Sequence, residues 1–323
     1  MGLHMSVSSV QDWMTCKRLY YYKRIKKYEK TSYNLPFIVG RVVHEGLAAV
    51  LAKKPNAIEV MEWAYRKERR EAIQTFGLNP EQIEELDMQE FMTKGMLLAY
   101  RTKYAKMIED MRLLGSEVEG ALDLGNDVTF VIKLDNIVVI RKKKVLHELK
   151  TTKQITPDYV KRIQTDLQTA VYYHFHNIIF EDSKIEEVMY DVIRKPSIHR
   201  KKSSKSKPAE SKEAFLERLQ EWYKKPDDMS VFHIERFKTP GITEEAVINT
   251  VVKVSEEMLR SKTKEDYYQD FDKCSAYYGG QCSYYDICHN GGESKENMVL
   301  YTIRKSYHVS KENKRVEDNE VET

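Results

Sequence analysis

Residues 134–150 read LDNIVVIRKKKVLHELK, and this stretch predicts the centre of the fold. Two runs rich in Ile, Val and Leu, at 136–140 and 145–151, flank a basic tetrapeptide. Apolar, β-branched runs separated by a short polar segment are typical of two strands joined by a hairpin. The expected turn falls between Lys142 and Lys143, in the middle of the basic tetrapeptide.

An acidic pair and a lysine lie on the two predicted strands. In the expected register Asp135 comes opposite Lys150, and Glu148 shares a strand face with Lys150. Diagonal neighbours across a strand pair are about 7–8 Å apart, so the three side chains can surround one point. Two carboxylates there could hold Mg²⁺ or Mn²⁺, and the lysine could orient or deprotonate a water. The same short pattern also fits a surface Glu–Lys pair with an unrelated Asp.

The rest of the chain changes from helical to extended periodicity and back. Helices are expected over 6–27, 37–51, 57–76, 80–114, 156–180, 211–224 and 242–262, and further strands over 117–123, 128–134, 187–194 and 231–237. This order predicts an α+β or mixed α/β fold with helices flanking a small sheet. The expected regions are an N-terminal helix over 1–30, a helical region over 31–115, a core over 116–263, a cysteine-rich region over 264–300 and a charged, disordered tail over 301–323.

Composition narrows the class of protein. The 323 residues are 32% charged and 41% hydrophobic, with a net charge of +3, which is ordinary for a globular protein. No apolar run approaches the roughly 18 residues that span a bilayer, so no membrane partner is expected. The first five residues lack the charged and apolar regions of a signal peptide, which predicts a cytoplasmic, reducing location.

Basic and aromatic residues are interleaved near the N-terminus. Residues 17–30 contain seven Lys or Arg and one acid, together with the tyrosines at 20, 21, 22 and 28. Such a segment suits contact with phosphates and stacking on bases, and it also fits a solvated helix whose tyrosines pack inward. The Lys- and Ser-rich stretch 199–208 predicts a mobile loop and is a second candidate for backbone contact with a nucleic acid.

Polar side chains on two predicted helices could join the acidic pair. His44 lies on the apolar stripe of its helix, where a histidine is more often buried in the core than a ligand. Four polar residues recur every four positions on the helix over 156–180: Gln164, Gln168, Tyr172 and His176. This ridge fits either contact with a phosphate or base, or an exposed helix face.

Four cysteines stand near the two ends of the chain, at Cys16, Cys274, Cys282 and Cys288. Four thiolates can hold a [4Fe–4S] cluster or a tetrahedral Zn²⁺. Because the paired C-x2–4-C knuckles usual for zinc are missing, the one-plus-three arrangement favours iron–sulphur over zinc. A reducing location disfavours disulfides, and three cysteines in one Gly- and Tyr-rich loop argue against separate buried thiols. We interpret the cluster as structural.

Together these motifs resemble the RecB-like, iron–sulphur-bearing branch of the PD-(D/E)XK nuclease superfamily, which includes AddB-type subunits, CRISPR-associated adaptation nucleases and phage exonucleases. The matching motifs run in the family's order over residues 6–288: SVSS, Cys16 to Tyr20, Gly40 to Glu45, Asp135, Glu148-x-Lys150, Gln168-x3-Tyr172 and the three C-terminal cysteines. The chain departs from the pattern at Ile132, often Gly in the family, at Leu134, where the naming proline would stand, and in the longer spacing from Cys274 to Cys282.

The resemblance implies a PD-(D/E)XK restriction-endonuclease-like core and a Mg²⁺- or Mn²⁺-dependent DNA nuclease, in the first place an exonuclease of recombination, repair or phage DNA processing. It implies these roles: Asp135, Glu148, His44 and the Leu149 carbonyl bind metal, Lys150 positions the attacking water, and Gln168 and Tyr172 orient the strand. Glu119 is a weaker candidate for an outer carboxylate, and Glu117 is equally placed.

The expected partner is DNA, either single-stranded or as a duplex end. The chain has no helicase P-loop, so unwinding would need a helicase or recombination partner. The alternatives are a non-catalytic DNA-binding or scaffold subunit of a helicase–nuclease complex, an enzyme acting on RNA, and a CRISPR adaptation nuclease.

Overall fold

A computed structural model describes residues 2–31, 35–203, 208–224, 231–275 and 281–304. Its backbone packs as two compact units, one made of Met1–Val10 and Tyr33–Leu259, the other of Gln11–Ser32 and Arg260–Thr323. Within the described ranges, no helix is long and apolar enough to cross a membrane.

The structure is a mixed α+β fold. The strands are β1 (Leu3–Ser6), β2 (Tyr28–Lys30), β3 (Arg112–Asp123), β4 (Val128–Ile140), β5 (Lys143–Thr152), β6 (Glu187–Arg194), β7 (Phe232–Phe237) and β8 (Tyr301–Ile303). The α-helices are α1 (Val7–Thr15), α2 (Lys17–Tyr20), α3 (Leu35–Leu51), α4 (Ala57–Phe76), α5 (Pro80–Lys103), α6 (Ala105–Asp110), α7 (Pro157–Lys161), α8 (Leu167–Ile179), α9 (Lys212–Tyr223), α10 (Glu244–Arg260), α11 (Tyr285–His289) and α12 (Lys295–Met298).

The first unit is built on a six-stranded mixed sheet in the order β1-β4-β5-β6-β7, with β3 also paired to β4. Strands β5 and β6 are parallel, whereas β3–β4, β4–β5 and β6–β7 are antiparallel. Successive side chains along a strand point to opposite faces of the sheet. Where helices cover both faces, the side chains on both faces are apolar. The sheet and its flanking helices agree with the predicted fold class.

Helices cover both faces of this sheet. Helices α3, α4 and α5 bury their apolar faces in one core with Leu149 of β5 and Met189 and Ile193 of β6. On the opposite face, Phe175 of α8 packs edge-on against Phe130 of β4 at 4.9 Å between ring centroids. The central strands are therefore buried on both sides.

Strands β4 and β5 are joined by a two-residue turn at Arg141 and Lys142, since Ile140 pairs with Lys143. Both turn residues have positive φ, 51° and 70°, as a type I′ hairpin turn requires. The prediction of a turn between Lys142 and Lys143 was wrong by one position, because Arg and Lys are rare at left-handed turn positions and give no turn signal.

The second unit ties an N-terminal segment to the C-terminal segment through aromatic residues. Strand β2 pairs antiparallel with β8, and the ring of Tyr284 stacks between Tyr22 at 5.8 Å and Tyr301 at 5.9 Å. The Tyr22 hydroxyl donates to the Ile287 carbonyl and the Tyr284 hydroxyl to the Tyr28 carbonyl. These rings form the interior of a unit that has few aliphatic side chains.

Several predicted elements end elsewhere in the structure. The expected helix over 6–27 is three pieces, because Cys16 is extended (φ −167°, ψ 120°) between α1 and α2, and a π-helix follows at Tyr21–Ile25. The expected helix over 80–114 ends at Lys103, and residues from Arg112 belong to β3.

The predicted boundaries of the first and last regions also change. Residues 3–6 form a strand rather than part of an N-terminal helix. The expected disordered tail begins too early, because Tyr301–Ile303 pair with β2. Residues 305–323, and 204–207 of the Lys- and Ser-rich stretch, lie outside the described residues.

Candidate active site

The sheet splits beside Asp135. Strand β3 lines one edge of β4 along nearly all of its length, while the opposite edge is shared between β1, at 128–131, and β5, at 136–140. Residues 132–135 consequently have no strand partner on that edge within the described part of the chain. The split leaves room for side chains between Asp135 and the second half of β5.

The register across the split brings the two carboxylates face to face. Asn136 pairs with His147, so the next position places Asp135 in line with Glu148 rather than with Lys150. The predicted register was therefore wrong by two residues. Because a strand repeats every two residues, the same side chains still share a face, and the structure brings Asp135, Glu148 and Lys150 together as expected.

Glu148 is the most constrained of these groups. Its side chain is fully buried, and its Oε1 accepts a hydrogen bond from Lys150 Nζ. Its Oε2 is buried without a hydrogen-bond partner among the described residues. Burial raises the pKa of this carboxyl to about 7, although Lys150 pulls it down, and Asp135 raises it further. The group therefore titrates near neutral pH when nothing else binds it.

Asp135 has the opposite character. Its Oδ2 accepts the backbone N–H of Leu149 at 3.1 Å, and its Oδ1 lies 3.4 Å from His44 Nδ1. Burial acts to raise the pKa of Asp135, but the hydrogen bond and charge of His44, the charge of Lys150 and the Leu149 N–H together lower it. Asp135 is thus already ionised at the pH where Glu148 titrates.

A chain of hydrogen bonds leads from the lysine to α8. Lys150 Nζ donates to Gln168 Oε1 at 2.9 Å, and Gln168 Nε2 donates to the Tyr172 hydroxyl at 3.1 Å. Burial acts to lower the pKa of Lys150, but the carboxylate of Glu148 outweighs it and the pKa is raised. Burial raises the pKa of Tyr172 to about 12. Both groups therefore keep their protons: Lys150 donates to Glu148 and Gln168, while the Tyr172 hydroxyl accepts from Gln168.

His44 lies at the edge of α3 rather than in its core. Its side chain is 33% exposed, and the buried stripe of the helix runs instead through Val39, Val43, Leu47 and Val50. The structure thus places His44 beside Asp135 and off the buried stripe on which the sequence pattern put it.

The predicted polar ridge is broken. The expected helix over 156–180 stops at Lys161 and restarts at Leu167, so Gln164 leaves the ridge and donates to Glu235 at 2.7 Å. His176 is buried. Of the four ridge residues, Gln168 contacts Lys150 and Tyr172 contacts Gln168. Lys133 binds Glu117 at 2.9 Å and approaches Glu119 at 3.9 Å, with both acids half-exposed or more.

The oxygen and imidazole groups of this site are of the types that a hard divalent cation binds, although they are not arranged as a complete set of metal ligands. Among the described residues, no group of three or more His, Cys, Asp or Glu side chains is arranged to hold a metal ion. Oxygen donors and an imidazole are nevertheless the ligands that Mg²⁺ and Mn²⁺ accept. The orphaned Glu148 Oε2 is a buried acceptor whose missing partner a cation would supply.

A buried network behind the site was missed by sequence reasoning. Asp191 of β6 accepts a hydrogen bond from the Tyr100 hydroxyl, and its Oδ2 lies 3.2 Å from His147 Nε2. Both Asp191 and His147 are completely buried. The network links α5 to β5 and β6 immediately beside Glu148. Its only sequence signal is an aspartate within the otherwise apolar strand EVMYDVIR.

The four cysteines belong to the second unit and line one small pocket. Cys16 Sγ accepts the backbone N–H of Asp270 at 3.4 Å, and the Cys282 N–H donates to the Cys274 carbonyl at 3.0 Å. Burial raises the pKa of Cys288 to about 11. The four cysteines that the sequence predicted to act together therefore line the same pocket. His289, which the sequence reasoning did not single out, lies with its Nε2 3.3 Å from Cys274 Sγ.

The basic, tyrosine-rich segment is mainly structural. Tyr20, Tyr21 and Tyr22 are buried, and Asp12 forms ion pairs with Lys23 and Arg24 at 2.8 and 2.6 Å. These tyrosines follow the inward-packing alternative and are not available for stacking on bases.

The fold and the split site agree with what comparison of the sequence indicates. The sequence profile of the PD-(D/E)XK nuclease superfamily matches residues 4–289, and the chain belongs to this superfamily. Members of the superfamily are generally nucleases, which are hydrolases. No curated protein matches the chain. A solved structure described as "Crystal structure of SSO0001" is 12% identical over 79% of this chain and 86% of that chain, with a TM-score of 0.26, which is too low to support an argument.

Proposed function

We propose that the protein is a Mg²⁺- or Mn²⁺-dependent deoxyribonuclease that degrades DNA from an end. The observation that carries this proposal is the buried Glu148, whose unpartnered Oε2 lies in the split of the sheet with Asp135 and Lys150. A buried carboxylate oxygen without a partner is costly, and binding a cation there removes the cost. The preference for DNA ends rests on the resemblance of the ordered motifs to the RecB-like branch.

Asp135, Glu148, His44 and the Leu149 carbonyl would hold the metal. A divalent ion there supplies Lewis-acid polarisation of the phosphodiester and activation of water at neutral pH. Below about pH 7 Glu148 would have to lose a proton to act as a ligand, whereas Asp135 is already ionised. Metal binding by Glu148 would therefore depend on pH near neutrality, whereas metal binding by Asp135 would not.

Lys150 would orient the attacking water rather than deprotonate it. Its pKa is raised, so the ammonium keeps its proton at neutral pH and can only donate hydrogen bonds. Glu148 and Gln168 hold the ammonium from two sides, which fixes its direction. Tyr172 supports Gln168 through the Nε2–hydroxyl bond and, with it, would position the DNA strand.

The four cysteines would hold a structural [4Fe–4S] cluster. Support comes from their shared cavity and from their distribution over both segments of the second unit. Metal–thiolate bonds would join the segment over 11–32 to the segment over 260–304 in the way that aromatic packing already does. A single zinc ion is the alternative occupant of the cysteine site. An iron–sulphur cluster absorbs visible light through charge-transfer bands and a zinc ion does not, so the absorption spectrum distinguishes the two.

The proposal is tested by DNA cleavage with protein purified anaerobically. End-labelled linear and closed circular DNA, single- and double-stranded, are incubated with Mn²⁺ or with EDTA. Metal-dependent loss of linear but not circular DNA is expected, and it should vanish in Lys150→Ala. The matched control is Lys161→Ala, because Lys161 is 79% exposed and pairs only weakly with Asp158 at 3.9 Å. No cleavage by folded wild-type protein under any of these conditions would favour a DNA-binding subunit.

A further inference from the structure

Strand β5 loses its partner on one edge at the candidate metal site. The ladder between β4 and β5 ends at the pair Asn136 and His147, and Asp135 and Glu148 lie immediately beyond that pair. Over 148–152, β5 is therefore paired only to β6 among the described residues. Where no ladder joins the two strands, other contacts have to keep the two carboxyl groups facing each other.

A buried polar network lies at this point, on the sheet face opposite to Glu148. Asp191 Oδ2 accepts the Tyr100 hydroxyl and lies 3.2 Å from His147 Nε2, and all three side chains are fully buried. His147 directly precedes Glu148, and Asp191 lies beside Leu149 in the β5–β6 ladder. The network therefore contacts β5 directly before Glu148 and lies beside the residue directly after it.

This network is costly for an apolar core. Tyr100 and Leu149 belong to the core that α3, α4 and α5 form with the sheet. Asp191 Oδ1 and His147 Nδ1 are buried without a hydrogen-bond partner among the described residues, which destabilises a fold. Hydrogen bonds are directional, however, so a buried network fixes the elements that it joins more narrowly than apolar contact does. Polar groups that break the ordinary core pattern are expected beside functional sites.

We propose that Asp191 is a positioning residue for the candidate metal site. By holding His147 of β5 against Tyr100 of α5, it fixes the part of β5 that carries Glu148, so that the Glu148 carboxyl faces Asp135 across the split. This inference rests on the proposed nuclease function and adds that a side chain outside the ligand set determines the geometry of the ligands.

One backbone amide reports on this alignment in the metal-free protein. The Leu149 N–H donates to Asp135 Oδ2 across the split at 3.1 Å, so its hydrogen exchange in EDTA measures how well β5 is held against β4. Asp191→Leu, which removes the acceptor and keeps a branched side chain, should speed this exchange about tenfold relative to the β5 amides over 143–147. Asp191→Asn, which keeps an acceptor oxygen, should stay close to the wild-type ratio.

Metal binding gives a second measurement. Calorimetry at pH 8 should show that Mn²⁺ binds Asp191→Leu about tenfold more weakly than wild type, and Asp191→Asn nearly as well as wild type. Ile193→Ala is the matched control, because Ile193 is a fully buried apolar residue two positions further along the same face of β6. It should lower stability in urea without changing the exchange ratio or the Mn²⁺ affinity.

Three results would overturn the inference: a wild-type exchange ratio in Asp191→Leu, equal effects of Asp191→Leu and Asp191→Asn, or equal effects of Asp191→Leu and Ile193→Ala. If Asp191→Leu does not fold, Tyr100→Phe removes a single hydroxyl and should change the ratio in the same direction. Failure of wild-type protein to bind Mn²⁺ would count against the nuclease function instead, and the exchange ratio would still decide the positioning.

Discussion

Asp135 and Glu148 face each other across the split, yet their surroundings separate their pKa values. Asp135 receives a backbone N–H and lies beside His44, which favours its charge. Glu148 is fully buried with one oxygen unpartnered, which favours its neutral form. Near pH 7 the metal-free site thus holds an ionised Asp135 and a Glu148 that is only partly ionised, beside the positive Lys150. A divalent ion must displace a proton to complete its ligand set.

The first prediction concerns folding stability. The pKa of Glu148 is about 7 in the folded protein against an ordinary 4.5, so the folded state binds more protons in this window and the free energy of unfolding falls as pH rises through it. Glu148→Gln should therefore stabilise the metal-free protein at pH 8 by about 2–3 kcal/mol, and by little below pH 5. Urea unfolding in EDTA measures both values. Asp158→Asn, at an 86% exposed side chain, serves as the control, and a destabilised Glu148→Gln at pH 8 would contradict the account.

The second prediction concerns metal affinity. Because the Glu148 proton competes with the ion, Mn²⁺ should bind about tenfold more weakly at pH 6 than at pH 8. Isothermal titration calorimetry gives the two affinities, and proton release at pH 6 should accompany binding. Glu148→Gln should bind Mn²⁺ weakly at both values. Affinity independent of pH in the wild-type protein would show that Glu148 is not a ligand.

Single-residue reasoning from the sequence predicted which side chains lie together, namely Asp135, Glu148 and Lys150 with Gln168 and Tyr172, and the four cysteines, because these types recur at interpretable spacings; their roles stay predictions. It could not give the protonation states, which depend on burial from distant elements. It also missed the Tyr100–Asp191–His147 network, since three residues on three elements meet only after folding.

At the scale of elements, some strands and helices were predicted to their ends and others were not: α4 begins and ends as predicted, whereas the strands expected over 128–134 and 136–140 are one strand, β4. Strand β6 begins and ends as predicted, because an apolar run between polar segments has few alternatives. The long helix expected over 156–180 fails because Asp166 starts a new helix, its Oδ1 accepting the Thr169 N–H at 2.8 Å. Such a cap is a short signal inside a periodic pattern and is easily overlooked.

The third prediction tests the β4–β5 turn. Arg141 and Lys142 both occupy left-handed conformations that side chains disfavour. Replacing them by Asn-Gly, the preferred type I′ pair, should stabilise the protein by about 1 kcal/mol without moving the register. Thermal unfolding measures the gain, and exchange of Lys143 and Lys144 by Asn-Gly is the control. A loss of stability in the Arg141–Lys142 variant would mean that the turn lies elsewhere.

The fourth prediction tests the packing of α3, which carries His44. A Cβ on Gly46 would stand 2.7 Å from Leu97 Cδ2 and 3.0 Å from Met61 Cβ. Gly46→Ala should therefore destabilise the first unit by about 1–3 kcal/mol despite the better helix propensity of Ala. Gly40→Ala controls for glycine loss in the same helix, since a Cβ there would meet only Thr151 Oγ1 at 3.4 Å, an ordinary van der Waals contact. A more stable Gly46→Ala protein would contradict the packing described.

At the scale of the whole molecule, the sequence predicted the sheet-and-helix core but not how the chain divides. The regions expected over 31–115 and 116–263 fall in one compact unit, because α3, α4 and α5 share a core with β5 and β6. The second unit joins segments more than 200 residues apart. Its interior consists mainly of tyrosines. A search for periodic aliphatic residues does not identify tyrosines as core residues.

The fifth prediction follows from that division. If the cysteines hold a cluster, its removal should loosen the second unit while the sheet of the first stays protected, because each unit has its own core. Cys282→Ala should lose visible absorption and show faster amide exchange at Thr31 and Arg304, whose N–H groups bind Leu300 and Lys27 carbonyls at 2.8 Å. Amides of β4 are the internal reference. A Cys282→Ala protein with full colour would refute the ligand role, and faster exchange throughout β4 would show that the cluster stabilises the chain as one cooperative unit.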